Sequence, residues 1–187
     1  MNTNIKDYIQ IVDVNIPDSV LNLCIESENE MRKAMTASGS LEYRDCYENY
    51  INPDMNPDMT PEGKDLYEFL HNTHKNLITG YITEFNIPKD IIQIHHTGFH
   101  ILKYENFGKY KEHIDDFGSN YFSFRRLSMS ILLNDNYTGG EFSFFNDQYR
   151  ISLKKNQAII FPSNFMFPHQ ILPVTSGSRW SIVSWTI

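Results

Sequence analysis

Two side chains near the middle of the chain have the types and the spacing of a metal-binding pair. His113 and Asp115 are separated by one residue, at the end of a segment whose pattern predicts a strand over residues 109–114. Alternate residues of a strand point to the same face, so this imidazole and this carboxylate can reach one ion. Alone, a His-x-Asp sequence is a weak signal, because it arises often by chance.

Two residues further along the chain strengthen this interpretation. His169 lies in a predicted strand over residues 167–172, and Arg179 follows ten residues later. Two histidines and one carboxylate on one face of a metal leave three positions open, which is the facial arrangement of non-heme Fe(II) oxygenases. The planar fork of a buried arginine suits the distal carboxylate of a dicarboxylic co-substrate.

The separation between His169 and Arg179 constrains the fold. If residues 175–178 formed a flat hairpin, Val174 would pair with Arg179, and His169 would lie roughly 16 Å further along the strand. A five-carbon acid cannot span that distance. The chain must therefore cross from one sheet to a facing sheet between the two residues, as it does in a jelly roll.

The pattern of apolar residues predicts an all-β core braced by two helices. Upstream, it predicts a strand over residues 8–14, a helix from Pro17 to about Gly39, a long loop over residues 36–60 and a second helix opening at Pro61. Downstream, short apolar runs bounded by turn residues predict a sandwich or double-sheet jelly roll. Its strands are predicted at residues 91–104, 109–114, 126–133, 141–146, 149–153, 157–161, 167–172 and 179–186.

The composition is typical of one globular domain. The chain has 187 residues, of which 41% are hydrophobic and 21% charged, and its net charge of −7 disfavours nucleic-acid binding. The sequence shows no signal-peptide core and no apolar run long enough to span a membrane. Cys24 and Cys46 form no Cys-x-x-Cys motif. We therefore expect a cytoplasmic, single-domain protein over residues 1–187, with residues 1–90 supporting a catalytic core over residues 91–187.

The C-terminal half carries short motifs in a fixed order. Tyr104 and Tyr110 precede the His-x-Asp pair, and Arg125 stands three residues before Ser128. Further matching segments are residues 137–142, 158–163, 169–174 and 177–185. In this order, residues 91 to 187 resemble the prolyl 4-hydroxylase type of 2-oxoglutarate- and Fe(II)-dependent dioxygenase. The resemblance covers half of the chain, and residues 1–90 carry no such signature.

The resemblance implies a fold, a reaction and a set of cofactors. The fold is a double-stranded β-helix, and the reaction hydroxylates a peptidyl proline with release of succinate and CO2. Fe(II) would be held by His113, Asp115 and His169. 2-Oxoglutarate would chelate this iron and form a salt bridge with Arg179, and O2 would be the second co-substrate.

The resemblance also assigns roles to positions around the iron. Tyr104 stands at a family position near the co-substrate, Arg125 where the family contacts its substrate, and Trp185 close to the iron. One position departs from the family. A tyrosine that usually follows the position of Ser128 by four residues, as a second partner of the distal carboxylate, is Leu132 here. That hydrogen bond is therefore absent or supplied by another residue.

Other functions stay open at this point. The chain could be a related oxygenase that acts on another side chain or on a free amino acid. It could also be a jelly-roll module that binds a metal but has lost turnover. A zinc hydrolase could use the same three ligands, but it would not need Arg179.

Two segments without regular periodicity, residues 36–60 and 116–124, are expected to roof the iron pocket. A roof of loops suits an extended, proline-containing peptide, and the negative net charge favours a neutral or basic one. The histidines outside the triad are expected to be structural. His71 and His74 should face solvent, and His96 and His100 should be partly exposed on one strand face.

Overall fold

Fourteen strands and two α-helices form within the part of the chain that the computed structural model describes, residues 4–34, 42–88, 90–116 and 124–187. The N-terminal elements are a 3-10 helix (Ile5–Tyr8), β1 (Gln10–Asp13), α1 (Asp18–Glu26), a second 3-10 helix (Ser27–Glu30), β2 (Arg32–Lys33), β3 (Arg44–Asp45), β4 (Tyr47–Ile51) and α2 (Pro61–Glu84). The remaining strands are β5 (Phe99–Glu105), β6 (Lys109–His113), β7 (Leu127–Leu132), β8 (Thr138–Gly139), β9 (Phe142–Phe144), β10 (Tyr149–Ile151), β11 (Gln157–Pro162), β12 (His169–Ile171), β13 (Val174–Ser176) and β14 (Ser178–Trp185).

The strands form two main antiparallel sheets. The major sheet has the order β1-β11-β7-β14-β5-β4-β2, and the minor sheet has the order β10-β9-β12-β6-β3. Strands β8 and β13 form a small separate pair. The two-sheet jelly roll predicted from the sequence is confirmed.

Two hydrophobic cores hold the layers together. The first lies between the sheets, where Tyr104 and Phe161 of the major sheet pack with Phe144 and Ile171 of the minor sheet. The second lies behind the major sheet, where the helices cover residues such as Ile182. Each large side chain buried in this way contributes about 1.5–3 kcal/mol to stability. The helices therefore brace one outer face, as predicted.

The crossing between sheets that the His169–Arg179 separation requires is present. His169 begins β12 in the minor sheet, and Arg179 lies on β14 in the major sheet. The chain passes between them through β13, which pairs with β8 rather than with β14. This turns both side chains toward the space between the sheets.

The first helix is much shorter than predicted. It ends at Glu26, and a 3-10 turn follows before the chain becomes extended at Met31. The hydroxyl of Ser27 donates to the carbonyl of Cys24 at 3.0 Å, a local bond that competes with continuation of an α-helix. The predicted end at Gly39 lies outside the described residues, as does Met35, which was expected on the same helix.

The segment predicted as a long loop over residues 36–60 contains two strands, so that prediction is wrong for residues 44–51. β3 pairs with β6 of the minor sheet, and β4 pairs with β5 of the major sheet. Within β4, Glu48 lies opposite Leu102, on the side of the sheet that faces the inter-sheet space. The segment is therefore a side wall that connects the sheets. Most of the other segment that was expected to roof the pocket, residues 117–123, lies outside the described residues.

The second helix begins where the sequence predicts. The hydroxyl of Thr60 accepts a hydrogen bond from the amide of Gly63 at 3.2 Å, and Pro61 occupies the first turn. Leu66, Leu70 and Ile78 form its buried face. Neither this helix nor α1, the two α-helices among the described residues, is long and apolar enough to cross a membrane.

His74 is fully buried against the major sheet, so the prediction that it faces solvent is wrong. It follows Leu70 by four residues and precedes Ile78 by four, a spacing that places it within the apolar stripe. Its ring packs edge-on against His96 and Phe99, and neither of its ring nitrogens has a hydrogen-bond partner within the described residues. Burial lowers the pKa of His74 to about 3, and the neighbouring histidines add to this effect.

We expect His74 to make the apoprotein sensitive to acid. Because its folded pKa lies below its ordinary value of 6.5, the neutral ring stabilises the fold above about pH 6.5. This stability is lost as the pH falls toward 3. The loss between pH 7 and pH 4 is about 3 kcal/mol for this one group. His74→Leu should therefore flatten the acid side of a plot of unfolding free energy against pH, measured by urea denaturation.

The control for this experiment is His95→Leu, because His95 is exposed and lies outside α2. This variant should keep the acid sensitivity of the wild type. Equal acid sensitivity in His74→Leu and the wild type would contradict the assignment of the effect to His74.

Candidate active site

The three side chains predicted to bind a metal meet at one point between the sheets. His113 ends β6, Asp115 follows two residues later, and His169 begins β12 directly opposite His113 in the strand register. One possible ligand atom from each of the three lies within 4.8 Å of the others. The structure therefore brings this predicted set together.

The orientation of the two imidazoles fits a cation. The Nδ1 atom of His113 lies 2.8 Å from the carbonyl oxygen of Lys111, and that of His169 lies 3.1 Å from the carbonyl oxygen of Phe167. A carbonyl only accepts, so both Nδ1 atoms carry the proton and donate, which leaves the Nε2 lone pairs free in the neutral rings. Each Nε2 atom points at an oxygen of Asp115, 3.5 Å away. Two imidazole nitrogens and a carboxylate that converge in this way suit a divalent metal ion.

The ionisation states of the buried groups agree with this arrangement. Burial alone would raise the pKa of Asp115, but His169 and His113 beside it hold that pKa far below its usual range. Burial lowers the pKa of His169 to about 4, although Asp115 opposes the shift. At neutral pH the site therefore presents a carboxylate and, at His169, a neutral imidazole, the forms that ligate metals.

Two serines form a hydrogen-bonded chain that ends at the carboxylate of Asp115. The hydroxyl of Ser128, on β7, donates to Oδ2 of Asp115 at 2.7 Å. The hydroxyl of Ser163 lies 2.8 Å from that of Ser128. Both serines are buried, so the chain orients the acid through a dry hydrogen-bonded path.

A cavity of about 690 Å³ opens around the triad. Arg179 and Trp185 both line it, from positions six residues apart on β14 and thus roughly 20 Å apart at strand rise. Tyr104 lies beside Arg179 in the strand register, and Ser128 lies beside Trp185. The cavity is therefore elongated along β14, with the arginine at one end.

Arg179 is a buried cation that pairs with no acid among the residues that the structure describes. It is 2% exposed, and no salt bridge joins it to an acid within the described ranges. One terminal nitrogen donates to the hydroxyl of Ser181 at 2.8 Å, while Nε has no hydrogen-bond partner there. A buried unpaired charge is costly, so this end of the cavity fits a ligand carboxylate such as that of 2-oxoglutarate.

Leu132, the residue that departs from the family pattern, has no polar group to offer a co-substrate. Leu132 is fully buried and lies opposite Ser181 in the register of β7 and β14. Burial raises the pKa of Tyr137, and the guanidinium of Arg179 opposes this rise, so Tyr137 also lies near that arginine. The hydroxyls of Ser181 and Tyr137 are therefore the groups near Arg179 that could replace the missing tyrosine.

The other residues with predicted roles line the same cavity. The guanidinium carbon of Arg125 lies 3.5 Å from the ring centroid of Trp185, and one of its nitrogens is 3.4 Å from the carbonyl oxygen of Asp115. Its neighbour Arg126 is exposed and does not line the cavity. Tyr104 is buried, with its ring centroid 5.7 Å from the guanidinium carbon of Arg179.

Two charged residues and one histidine that line the cavity were not predicted there by the sequence analysis. Arg44 and Glu48 lie on the side wall that was expected to be a loop, and His100 was expected to be a partly exposed structural residue. β3 and β4 carry polar side chains because these side chains face the cavity. The usual alternation of apolar and polar residues in a strand is therefore not evident there. His96, which was expected on the same strand face as His100, lies outside β5 and contacts His71 at 2.9 Å.

Comparison with known proteins agrees with the geometry of this site. Residues 99–187 match the model of the 2OG-Fe(II) oxygenase superfamily. The similarity to that superfamily implies Fe(II), 2-oxoglutarate and O2 as the cofactor and co-substrates. A PKHD-type hydroxylase of Prochlorococcus marinus is 36% identical over 110 residues, which are 56% of this chain and 45% of that protein. The chain thus spans less than half the length of this relative.

Solved structures share the fold over almost the whole chain. A prolyl-4-hydroxylase of Pseudomonas putida aligns with a TM-score of 0.71 and 17% identity, covering 96% of this chain and 92% of that one. A prolyl hydroxylase of Trichoplax adhaerens, in complex with a hypoxia inducible factor peptide fragment, aligns with a TM-score of 0.73 and 17% identity, covering 96% and 83%. The fold of the described chain is therefore of the prolyl hydroxylase type.

We expect Ser128 to tune the metal site through Asp115. Ser128→Ala removes the hydroxyl that orients this carboxylate and should weaken Fe(II) binding about 10- to 100-fold, the usual range for a hydrogen-bond partner of a metal ligand. Anaerobic metal titration followed by calorimetry measures the change. Ser130→Ala is the matched control, because Ser130 lies on the same strand and lines the cavity, but its hydroxyl has no described partner. Equal metal affinities in the two variants would contradict the prediction.

Proposed function

We propose that this protein is a 2-oxoglutarate- and Fe(II)-dependent oxygenase that hydroxylates a proline residue in a peptide or protein. The observation that supports the proposal most directly is the pairing, in one cavity, of the open-faced His113–Asp115–His169 triad with the unpaired guanidinium of Arg179. A zinc hydrolase or a metal-binding module has no need for such an arginine. A co-substrate with a distal carboxylate requires it.

In this proposal the chain's residues bind and orient the reactants. His113, Asp115 and His169 hold the iron, and Arg179 with Ser181 holds the distal carboxylate of 2-oxoglutarate. Bound Fe(II) and 2-oxoglutarate supply the oxidative chemistry, in which O2 provides one oxygen atom to a C–H bond and one to succinate, with loss of CO2. The protein supplies position and a site from which water is excluded.

The residues at the opposite end of the cavity receive the substrate. The guanidinium of Arg125 lies over the ring of Trp185 and next to the backbone of Asp115, so it is close to the metal ligands. The wall around them is rich in aromatic rings, against which a proline ring can pack. The complex of the Trichoplax adhaerens enzyme with a peptide fragment supports a peptide as the class of substrate.

Arg179 should be required for co-substrate binding but not for iron binding. Arg179→Gln removes a charged, buried partner of the carboxylate, worth on the order of 2–4 kcal/mol, so 2-oxoglutarate affinity should fall roughly 30- to 1000-fold. The measurement is an anaerobic titration with Fe(II) and 2-oxoglutarate, in which the chelate gives a weak visible charge-transfer band. Iron affinity, measured separately by calorimetry, should change far less. An equal loss of both affinities would make Arg179 a residue that supports the fold.

The substrate class is tested by mass spectrometry on a panel of proline-containing peptides. We expect such a peptide to stimulate 2-oxoglutarate turnover and to gain one oxygen atom on proline. Arg125→Ala should reduce this stimulated turnover more than the slow turnover without peptide. Oxidation of another residue, or a response to free amino acids alone, would refute the prolyl assignment and leave the oxygenase assignment intact. Absence of the charge-transfer band would refute the oxygenase assignment itself.

A further inference from the structure

A second cavity lies behind Arg179. It has a volume of about 290 Å³, and both Arg179 and Phe142 line this cavity as well as the main one. Asp135 and Glu141 also line the second cavity. Arg179 therefore stands between a cavity that contains two carboxylates of the protein and the end of the main cavity that fits a carboxylate of a ligand.

The guanidinium of Arg179 is turned toward the main cavity. Within the described residues, no salt bridge joins Arg179 to Asp135 or Glu141, although both acids carry the opposite charge. One of its terminal nitrogens donates to the hydroxyl of Ser181 at 2.8 Å. Ser181 lines the main cavity and not the second one. Other residues must therefore keep the guanidinium away from the acids behind it.

Tyr137 contacts this guanidinium from the side of the second cavity. It lines the second cavity and not the main one. Burial raises the pKa of Tyr137, whereas the charge of Arg179 and a hydrogen bond with it lower that pKa, and Glu141 and Asp135 raise it. A guanidinium only donates, so the phenol oxygen of Tyr137 is the acceptor in this bond. The hydroxyl thus lies among Arg179 and both acids.

Gly140 leaves the room that the side chain of Arg179 occupies. A methyl group at this position would lie 2.8 Å from Cδ of Arg179, 2.9 Å from Cγ2 of Val174 and 3.3 Å from Cε2 of Tyr137. The first two distances are well below the separation at which carbon atoms attract each other. Because these atoms belong to side chains, the arginine would shift before the backbone did. Gly140 is therefore packed directly behind the stem of Arg179.

We propose that Tyr137 and Gly140 are positioning residues, which hold the guanidinium of Arg179 toward the main cavity and so raise the affinity for the distal carboxylate of the co-substrate. The inference rests on the proposed function, in which 2-oxoglutarate is the ligand of Arg179. Tyr137 and Gly140 flank β8, so one short segment of chain orients the arginine. Tyr137 acts through Arg179, whereas a tyrosine at the position of Leu132 would contact the carboxylate itself.

The test compares two acids that differ by one carboxylate. 2-Oxobutyrate has the same 2-oxo acid group as 2-oxoglutarate but lacks the distal carboxylate, so its binding to iron does not use Arg179. Each acid is titrated anaerobically into protein loaded with Fe(II), and its Kd is read from the visible charge-transfer band. The ratio of the two Kd values isolates the interaction with Arg179 from the binding of iron and from the stability of the fold.

Both variants should weaken 2-oxoglutarate and leave 2-oxobutyrate unchanged. Tyr137→Phe should raise the Kd of 2-oxoglutarate about 3- to 10-fold, the usual effect of losing one hydrogen bond. Gly140→Ala should raise it about 10-fold, because a displaced guanidinium no longer aligns with the carboxylate. Tyr137→Phe serves if Gly140→Ala does not fold. In protein that already carries Arg179→Gln, Tyr137→Phe should have no further effect, because it acts only through the guanidinium.

Two control variants match these changes without touching Arg179. Gly98 has a φ of 93° and Gly140 a φ of 70°, so alanine strains the backbone at both positions, but a methyl group at Gly98 would meet the side chain of Tyr50. Tyr149→Phe removes a hydroxyl from a partly buried tyrosine of β10 that lines neither cavity. Gly98→Ala and Tyr149→Phe should both keep the wild-type ratio of Kd values.

Three results would overturn the inference. They are an equal loss of affinity for both acids, wild-type affinity for 2-oxoglutarate in both Tyr137→Phe and Gly140→Ala, and the same effect of Tyr137→Phe with and without Arg179. Each of them leaves the oxygenase assignment standing as long as the wild-type protein gives the band with 2-oxoglutarate. If the wild-type protein gives no band, the oxygenase assignment fails and the inference fails with it.

Discussion

The register between β6 and β12 is the constraint on which the site depends. His113 lies directly opposite His169, and a slip of one residue would turn one imidazole to the other face of the sheet. The next pair in the register is Tyr110 opposite Ile171. From the first pair to the second, β6 advances by three residues and β12 by two, which is a β-bulge. Simple alternation would place Tyr110 and His113 on opposite faces, but this bulge lets their rings stack. The guanidinium of Arg44 lies over the ring of Tyr110 in this stack.

Several buried polar groups that line the cavity lack partners among the described residues of the protein. Arg179 is buried and has no acidic partner in the described part of the chain, and the imidazoles of the triad face the carboxylate of Asp115. Buried polar groups of this kind lower the stability of a fold unless a ligand completes them. The two hydrophobic cores on either face of the major sheet offset this cost. Metal and co-substrate should therefore stabilise the protein as they bind, because they favour the folded state alone.

The sequence predicted the C-terminal half well, because there local pattern and fold agree. Strand alternation, turn residues and the His169–Arg179 separation all led to two facing sheets, and the motif residues converge on one cavity. The N-terminal part was harder. β3 and β4 hold polar residues that face a cavity, a pattern typical of loops when the partner strands are unknown. The position of His74 was predicted wrongly because a histidine was assumed to face solvent. Its spacing, however, follows the buried stripe of α2. The strands β3 and β4 and the burial of His74 both depend on contacts between residues that are far apart in the chain.

The pairing of β1 with β11 has a consequence for how the protein comes into being. Gln10 aligns with Ile160, so the first strand of the described chain forms an edge of the major sheet with a strand that is made about 150 residues later. At about 5–20 residues per second, the wait for the partner is roughly 7–30 s. During that time β1 cannot complete its hydrogen bonds within the sheet, and neither can the wall strand β4 until β5 emerges. Such long-range pairing slows folding and leaves strand edges open to other chains. The yield of folded protein in a cell is therefore set in part by what shields the N-terminal strands during synthesis.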